Sequence, residues 1–302
     1  MTQYYSNKYR KVLFALLALF SLWCVTTQVS LASAEMTTVS LVLILVFGIL
    51  HGSNDILLQR LQNRFNGRKP ISGFIGYFAL ALLVYGLYLA NSALMLLVFV
   101  AYSAYHFGEE SSQGLFPQTS PLKLLWSFFY GSFIFLAIFY GNWQELSDIV
   151  IRFGLESLSE NLVLSLLVPA AIGQFTLLFG MCCLRKVKVL DLLRIQSELI
   201  LFFFAFEALD LLASFTLFFV FWHSIPSIIS QIKGIRHHQK AYGLKEYLTD
   251  AGPIYVISVL SALALLLFSE YRPVFLEYII VISACITLPH IAVITLFHNR
   301  LT

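Results

Sequence analysis

Apolar residues along this chain gather into unbroken runs rather than alternating, most of them about 16 to 24 residues long, near the length at which a helix crosses a hydrocarbon layer. The runs cover residues 12–25 (extendable to Leu31), 39–58, 71–90, 93–108, 122–140 and 162–184. From Ile195 to Ile232 the apolar sequence is too long for one span, and Glu207 and Asp210 divide it into two, the second beginning near Leu211. Residues 253–269 and 274–297 complete the series. Residues 141–161 are instead amphipathic and acidic, which predicts a helix lying at the interface. Barrel strands would alternate over about 10 residues, so the pattern predicts an all-α polytopic bundle of about ten transmembrane helices. No loop is long enough to house a separate globule, and residues 1–302 read as a single transmembrane helical domain.

Charge placement orients the bundle. With both termini inside, all but Arg152 and Arg272 of the 19 Lys and Arg residues fall on the inner side, as the positive-inside rule requires. The inner basic groups include Lys8, Arg10 and Lys11, then Arg60, Arg64, Arg68 and Lys69, then Lys233 to Lys245. Residues 1–34 have a second reading, because a basic start, an apolar core and Ala32-Ser33-Ala34 also describe a cleavable signal segment.

Composition excludes the soluble classes: 59% of residues are hydrophobic, 12% are charged, and the mean hydropathy is +0.82. A net charge of +3 on such a chain offers nothing to nucleic acid. Cys24, Cys182, Cys183 and Cys285 lack zinc-site spacing and read as small apolar side chains.

The chemistry lies in His51-Gly52-Ser53-Asn54-Asp55, a polar island in the second span, and in His106, His223 and His290. All four histidines sit on spans running from outside to inside. The first three lie at nearly one depth and His290 about a turn lower, at about 1.5 Å per residue. Neutral imidazole is the usual ligand of iron, copper, nickel or zinc, and bundles build such sites from facing helices. Asp55, one turn from His51, is placed to receive an imidazole N–H or to hold a nearby helix. Pro226 and Pro289 are expected to bend the helices beside His223 and His290. Glu109 and Glu110 lie one turn past His106, placed to support it, and also fit a plain helix end at the inner surface, which is the preferred reading.

His51-Gly52-Ser53-Asn54-Asp55, Tyr105-His106-Phe107-Gly108-Glu109, Phe221-Trp222-His223-Ser224 and Leu288-Pro289-His290 resemble, in order, the motifs of the Brp/Blh family of bacterial membrane β-carotene 15,15′-dioxygenases. The resemblance implies a multi-pass enzyme of the inner (plasma) membrane. It would use Fe(2+) and O2 to cleave β-carotene at its central double bond, giving all-trans-retinal for a microbial rhodopsin. It also implies His51, His106 and His223 as catalytic iron ligands. The family's His-Ser-x-x-His pattern meets Ser227 at its last position, which leaves His290, water or Asp55 as the fourth ligand. Two other classes stay open. One is a non-enzymatic carotenoid- or retinal-binding or rhodopsin-assembly protein. The other is a transition-metal transporter, which the scarcity of acidic residues along the helices disfavours.

Overall fold

The structure, a computed structural model, describes residues 7–27, 31, 33–65, 70–112, 115–116, 120–267 and 272–301, and those residues are helical with short breaks and no strand. Ala32 of the Ala-Ser-Ala run and the loop residues Arg68 and Lys69 lie outside the described residues. The helices are α1 (Asn7–Thr27), α2 (Ala34–Leu43), α3 (Ile49–Gly52), α4 (Asp55–Phe65), α5 (Pro70–Ala90), α6 (Ser92–Ser111) and α7 (Pro121–Gly141). They continue as α8 (Trp143–Arg152), α9 (Glu160–Cys183), α10 (Val189–Ala208), α11 (Leu211–Phe218), α12 (Ile225–His238), α13 (Leu244–Leu267) and α14 (Arg272–Leu301). Two π-helical segments, Ile44–Gly48 and Phe219–Ser224, join α2 to α3 and α11 to α12.

Eight stretches among the described residues are long and apolar enough to cross a membrane: Tyr9–Thr27, Glu35–Leu61, Gly73–Ala90, Pro121–Gly141, Glu160–Cys183, Leu211–Arg236, Leu244–Ala264 and Glu277–Leu296. The sequence predicts about ten by the same length rule. The two further predicted spans are the 20-residue helices α6 and α10. Helix α6 carries Tyr102, Tyr105, His106, Glu109 and Glu110 in its second half, and α10 carries the charges of Asp191, Arg194, Glu198 and Glu207.

Local signals explain most boundaries. The predicted division before Leu211 is found there, where the Asp210 carboxylate accepts from the Ala213 N–H at 2.7 Å and caps α11. Pro121 opens α7, and the Ser159 side chain caps α9 through Leu162 N. The interfacial helix is shorter than predicted. It ends at Arg152, and Gly154 then turns the chain at φ +79°, a conformation that glycine adopts without steric cost. The run 39–58 is likewise not one regular helix, being interrupted by the π segment and by a turn at Ser53–Asn54. Helix α13 starts at Leu244, ahead of the predicted Pro253, because hydropathy marks entry into the apolar layer and not the first helical residue.

The chain forms two compact units. The first comprises residues 1–42, 101–151 and 155–223. In it α1 packs on α10, with the Ser21 hydroxyl donating to the Leu201 carbonyl at 2.8 Å, and α7 packs on both α9 and α10. Phe202, Phe206 and Phe218 are fully buried, and the Phe202 ring meets Phe218 and Trp222 edge-on. The second unit comprises residues 43–100, 152–154 and 224–302. There α14 packs on α4 and α5, while α12 and α13 pack on α3. Its core gathers Leu58, Ile228, Ile235, Tyr247, Val293 and Ile294. At its edge Tyr242 donates to Asp250 at 2.9 Å, and burial, followed by that bond, raises the phenol above its ordinary value.

Candidate functional site

In the first unit, His106 on α6 and His223 in the π segment Phe219–Ser224 are each 2% exposed, with ring centroids 4.8 Å apart at 75°. The placement of His106 is set by the small residues around it. Gly108 abuts the backbone of Ser127, and Gly131 abuts the backbone of Ala104, so α6 and α7 touch main chain to main chain on either side of the His106 turn. His223 sits in a stretch where π geometry accommodates one extra residue per turn, a feature that recurs at functional sites. Its ring lies against Phe107, at 4.6 Å between centroids, and stacks on Phe219 at 5.7 Å. His223 Nδ1 is 2.8 Å from Glu110 Oε2, both side chains being almost wholly enclosed.

The second unit repeats the arrangement with different parts. His51 lies on α3 directly after the other π segment and His290 on α14, with ring centroids again 4.8 Å apart, at 84°. His290 Nδ1 is 2.8 Å from Asp55 Oδ1, and the Tyr77 hydroxyl lies 3.3 Å from Asp55 Oδ2. His51 Nδ1 is turned back onto the Gly48 carbonyl of its own helix. The His51 carbonyl accepts from Gln231 Nε2 at 2.9 Å, and Tyr247 donates to Gln231 Oε1 at 3.0 Å. Pro289 is contained within α14, and Pro226 falls in the first turn of α12, where its missing N–H costs little.

The histidines singled out in the sequence are therefore brought together two by two: His106 meets His223, and His51 meets His290. Asp55 bonds to His290 on α14, and the turn at Ser53–Asn54 separates it, at the start of α4, from His51 on α3. Ser227, buried, accepts from Gln231 at 3.3 Å and so shares a donor with the His51 carbonyl. Glu109 and Glu110 do lie in the last turn of α6, as the helix-end reading expects, but they do not face solvent there. Both are buried, at 4% and 2% exposure, and Glu110 belongs to the histidine pair. The signal was in the sequence: His106 and Glu110 have the four-residue spacing of His51 and Asp55, which places both on one helix face.

The donors suit a transition metal. A ligating imidazole ordinarily gives its other N–H to a carboxylate or a carbonyl, which fixes the tautomer. Three of the four imidazoles have Nδ1 so engaged: His51 by Gly48, His223 by Glu110 and His290 by Asp55. That pattern leaves the lone pair on Nε2. The two carboxylates do not make a two-histidine, one-carboxylate ligand set, since each holds a ring nitrogen at hydrogen-bond distance. Among the described residues no three His, Cys, Asp or Glu side chains are gathered tightly enough to hold an ion by themselves.

No curated protein and no solved structure matches the chain. A family model described as beta-carotene 15,15'-dioxygenase matches residues 42–298, a stretch that includes all four histidines, Asp55 and Glu110. Spanning most of the chain, that match shows that it belongs to the beta-carotene 15,15'-dioxygenase family.

Proposed function

We propose that this chain is an iron-dependent membrane dioxygenase that cleaves β-carotene with O2 at the central 15,15′ double bond, yielding all-trans-retinal for a rhodopsin acceptor. Family membership supports the carotene dioxygenase class. The iron reading rests on one observation: the Nδ1 atoms of His51, His223 and His290 are engaged by Gly48, Glu110 and Asp55, which presents Nε2 of each imidazole as a donor for Fe(2+). Iron ligands are drawn from His51, His106, His223 and His290. Bound there, iron supplies the dioxygen chemistry, and neutral imidazoles leave it in the ferrous form suited to that reaction.

The chain's own share is positioning and exclusion of water. Phe107 and Phe219 close over the His223 ring and keep that side of the pair apolar, as a polyene substrate requires. The polar residues Gln231 and Tyr247 fix the main chain at His51. A substrate dissolved in the bilayer matches residues carried on membrane-spanning helices of the inner (plasma) membrane. On this reading α6 and α10 also cross, giving about ten passes with both termini inside, the arrangement that leaves only Arg152 and Arg272 outside.

The test is co-expression in a bacterium that makes β-carotene. The intact chain is expected to bleach the pigment and release retinal, measured by chromatography, and His223→Ala to do neither. One observation favours a second reading: Ser227 stands where the resembled pattern carries a histidine, as it would in a carotenoid- or retinal-binding member without turnover. Persistent orange colour beside well-expressed intact protein would overturn the enzyme and support that reading.

A further inference from the structure

The two histidine pairs, built from separate stretches of chain, share a crossed arrangement. On α6, Glu110 lies four residues beyond His106 and reaches His223 on another helical segment. Asp55 lies four residues beyond His51 and reaches His290 on α14. Both contacts are 2.8 Å, both run from a carboxylate oxygen to Nδ1, and all four side chains involved are no more than 5% exposed.

We propose that Glu110 and Asp55 are positioning residues, each lying four residues beyond one histidine of a pair and orienting the imidazole of the other, so that in each pair that imidazole is held with Nε2 as its metal donor. The inference rests on the proposed metal reading and deepens it. A carboxylate enclosed in an apolar bundle is costly unless it is partnered, and in both places a histidine Nδ1 stands 2.8 Å away, hydrogen-bonded at Asp55 and at ion-pair distance at Glu110. Such an acceptor fixes ring rotation and tautomer together and raises the basicity of the remaining nitrogen. The crossing adds a structural coupling. Because His106 and Glu110 share a helix, a shift of α6 that displaces one imidazole also displaces the acceptor of the other. The same holds for His51 and Asp55 across α3 and α4. Each pair therefore moves, or stays, as a unit.

The test is anaerobic titration of the purified full-length protein with ferrous iron. Glu110→Ala and Asp55→Ala are expected to weaken iron binding by about 10- to 100-fold, the usual effect of removing such a partner. Glu110→Gln and Asp55→Asn keep an acceptor oxygen and nearly the same volume, so they are expected to lose less than the alanine variants. The deciding measurement is a double-mutant cycle. If Glu110 acts through His223, then Glu110→Ala in a His223→Ala background changes affinity no further, within about twofold. The same is expected of Asp55→Ala in a His290→Ala background. Carboxylate variants that bind iron like the intact chain, or losses that multiply in the double variants, would overturn the positioning role. Should the histidine variants themselves retain full iron affinity, it is the metal reading that fails. Histidine variants that lose iron beside carboxylate variants that keep it would sink only the positioning role.

Discussion

The histidine pairs of the two units have the same ring separation, nearly the same ring angle and the same carboxylate distance, yet they are held by different forces. In the first unit the support is steric. Backbone meets backbone at Gly108 and Gly131, and aromatic rings enclose His223. In the second unit it is a polar network, in which Tyr77 serves Asp55, and Gln231 and Tyr247 hold the His51 carbonyl. A Cβ added at Gly52 would meet nothing nearer than His290 Nδ1, at 3.7 Å, an ordinary contact distance. One geometry can thus be reached by close packing, which is insensitive to polar substitution, or by hydrogen bonding, which tolerates added volume.

That contrast can be broken by substitution. The largest effect is expected from Gly131→Ala or Gly108→Ala, where the new Cβ would collide with the backbone of the facing helix. Thermal unfolding in detergent should show a loss of at least about 1–3 kcal/mol, the range for overpacking. Gly52→Ala, by contrast, should stay within about 0.5 kcal/mol of the parent. If all three glycines respond alike, the contrast fails. Next comes Tyr247→Phe, which strips Gln231 Oε1 of its donor inside the second unit and should cost about 1–3 kcal/mol in the same assay. Phe219→Leu removes the ring stacked on His223 and should cost about 0.5–1.5 kcal/mol beyond lost area. The smallest effect, about 1 kcal/mol or less, is expected of Ser227→Ala, because Gln231 Nε2 keeps its shorter bond to the His51 carbonyl. An effect of Ser227→Ala larger than that of Tyr247→Phe would reverse the order of importance assigned within the network.

The helical class and most helix positions were legible in the sequence, because lipid-length apolar runs have few solutions and charges mark their ends. The division at Leu211 was legible for a local reason, an aspartate in the capping position. The four histidines stood out because imidazole is costly in such runs. Glu110 was left between two readings because a carboxylate at the end of an apolar run looks the same whether it meets water or a histidine. Its partner is on another helix, and spacing along one helix does not reveal such a contact. The π segments before His51 and around His223 escaped notice for a related reason. One extra residue in a turn leaves the apolar run unbroken and changes only the facing of the residues beyond it. The shortfall from about ten predicted spans to eight apolar ones falls on α6 and α10. One carries His106 and the other supplies much of the first unit's core. On α6 the inward polar side chains of His106, Glu109 and Glu110 offset its apolar first half, and α10 carries four charged residues, more than a span is ordinarily allowed.

The contact between α6 and α7 has a consequence for how this protein would respond to saturation mutagenesis. Every amino acid other than glycine carries a Cβ, so at Gly108 and Gly131 no exchange avoids the opposing main chain. A screen scored only by tolerance would return these two positions beside His106, although neither has a side chain with which to bind or react. Scoring the same library a second time for folded protein would separate them, since the glycine variants would drop out of both readouts and the histidine variants out of activity alone.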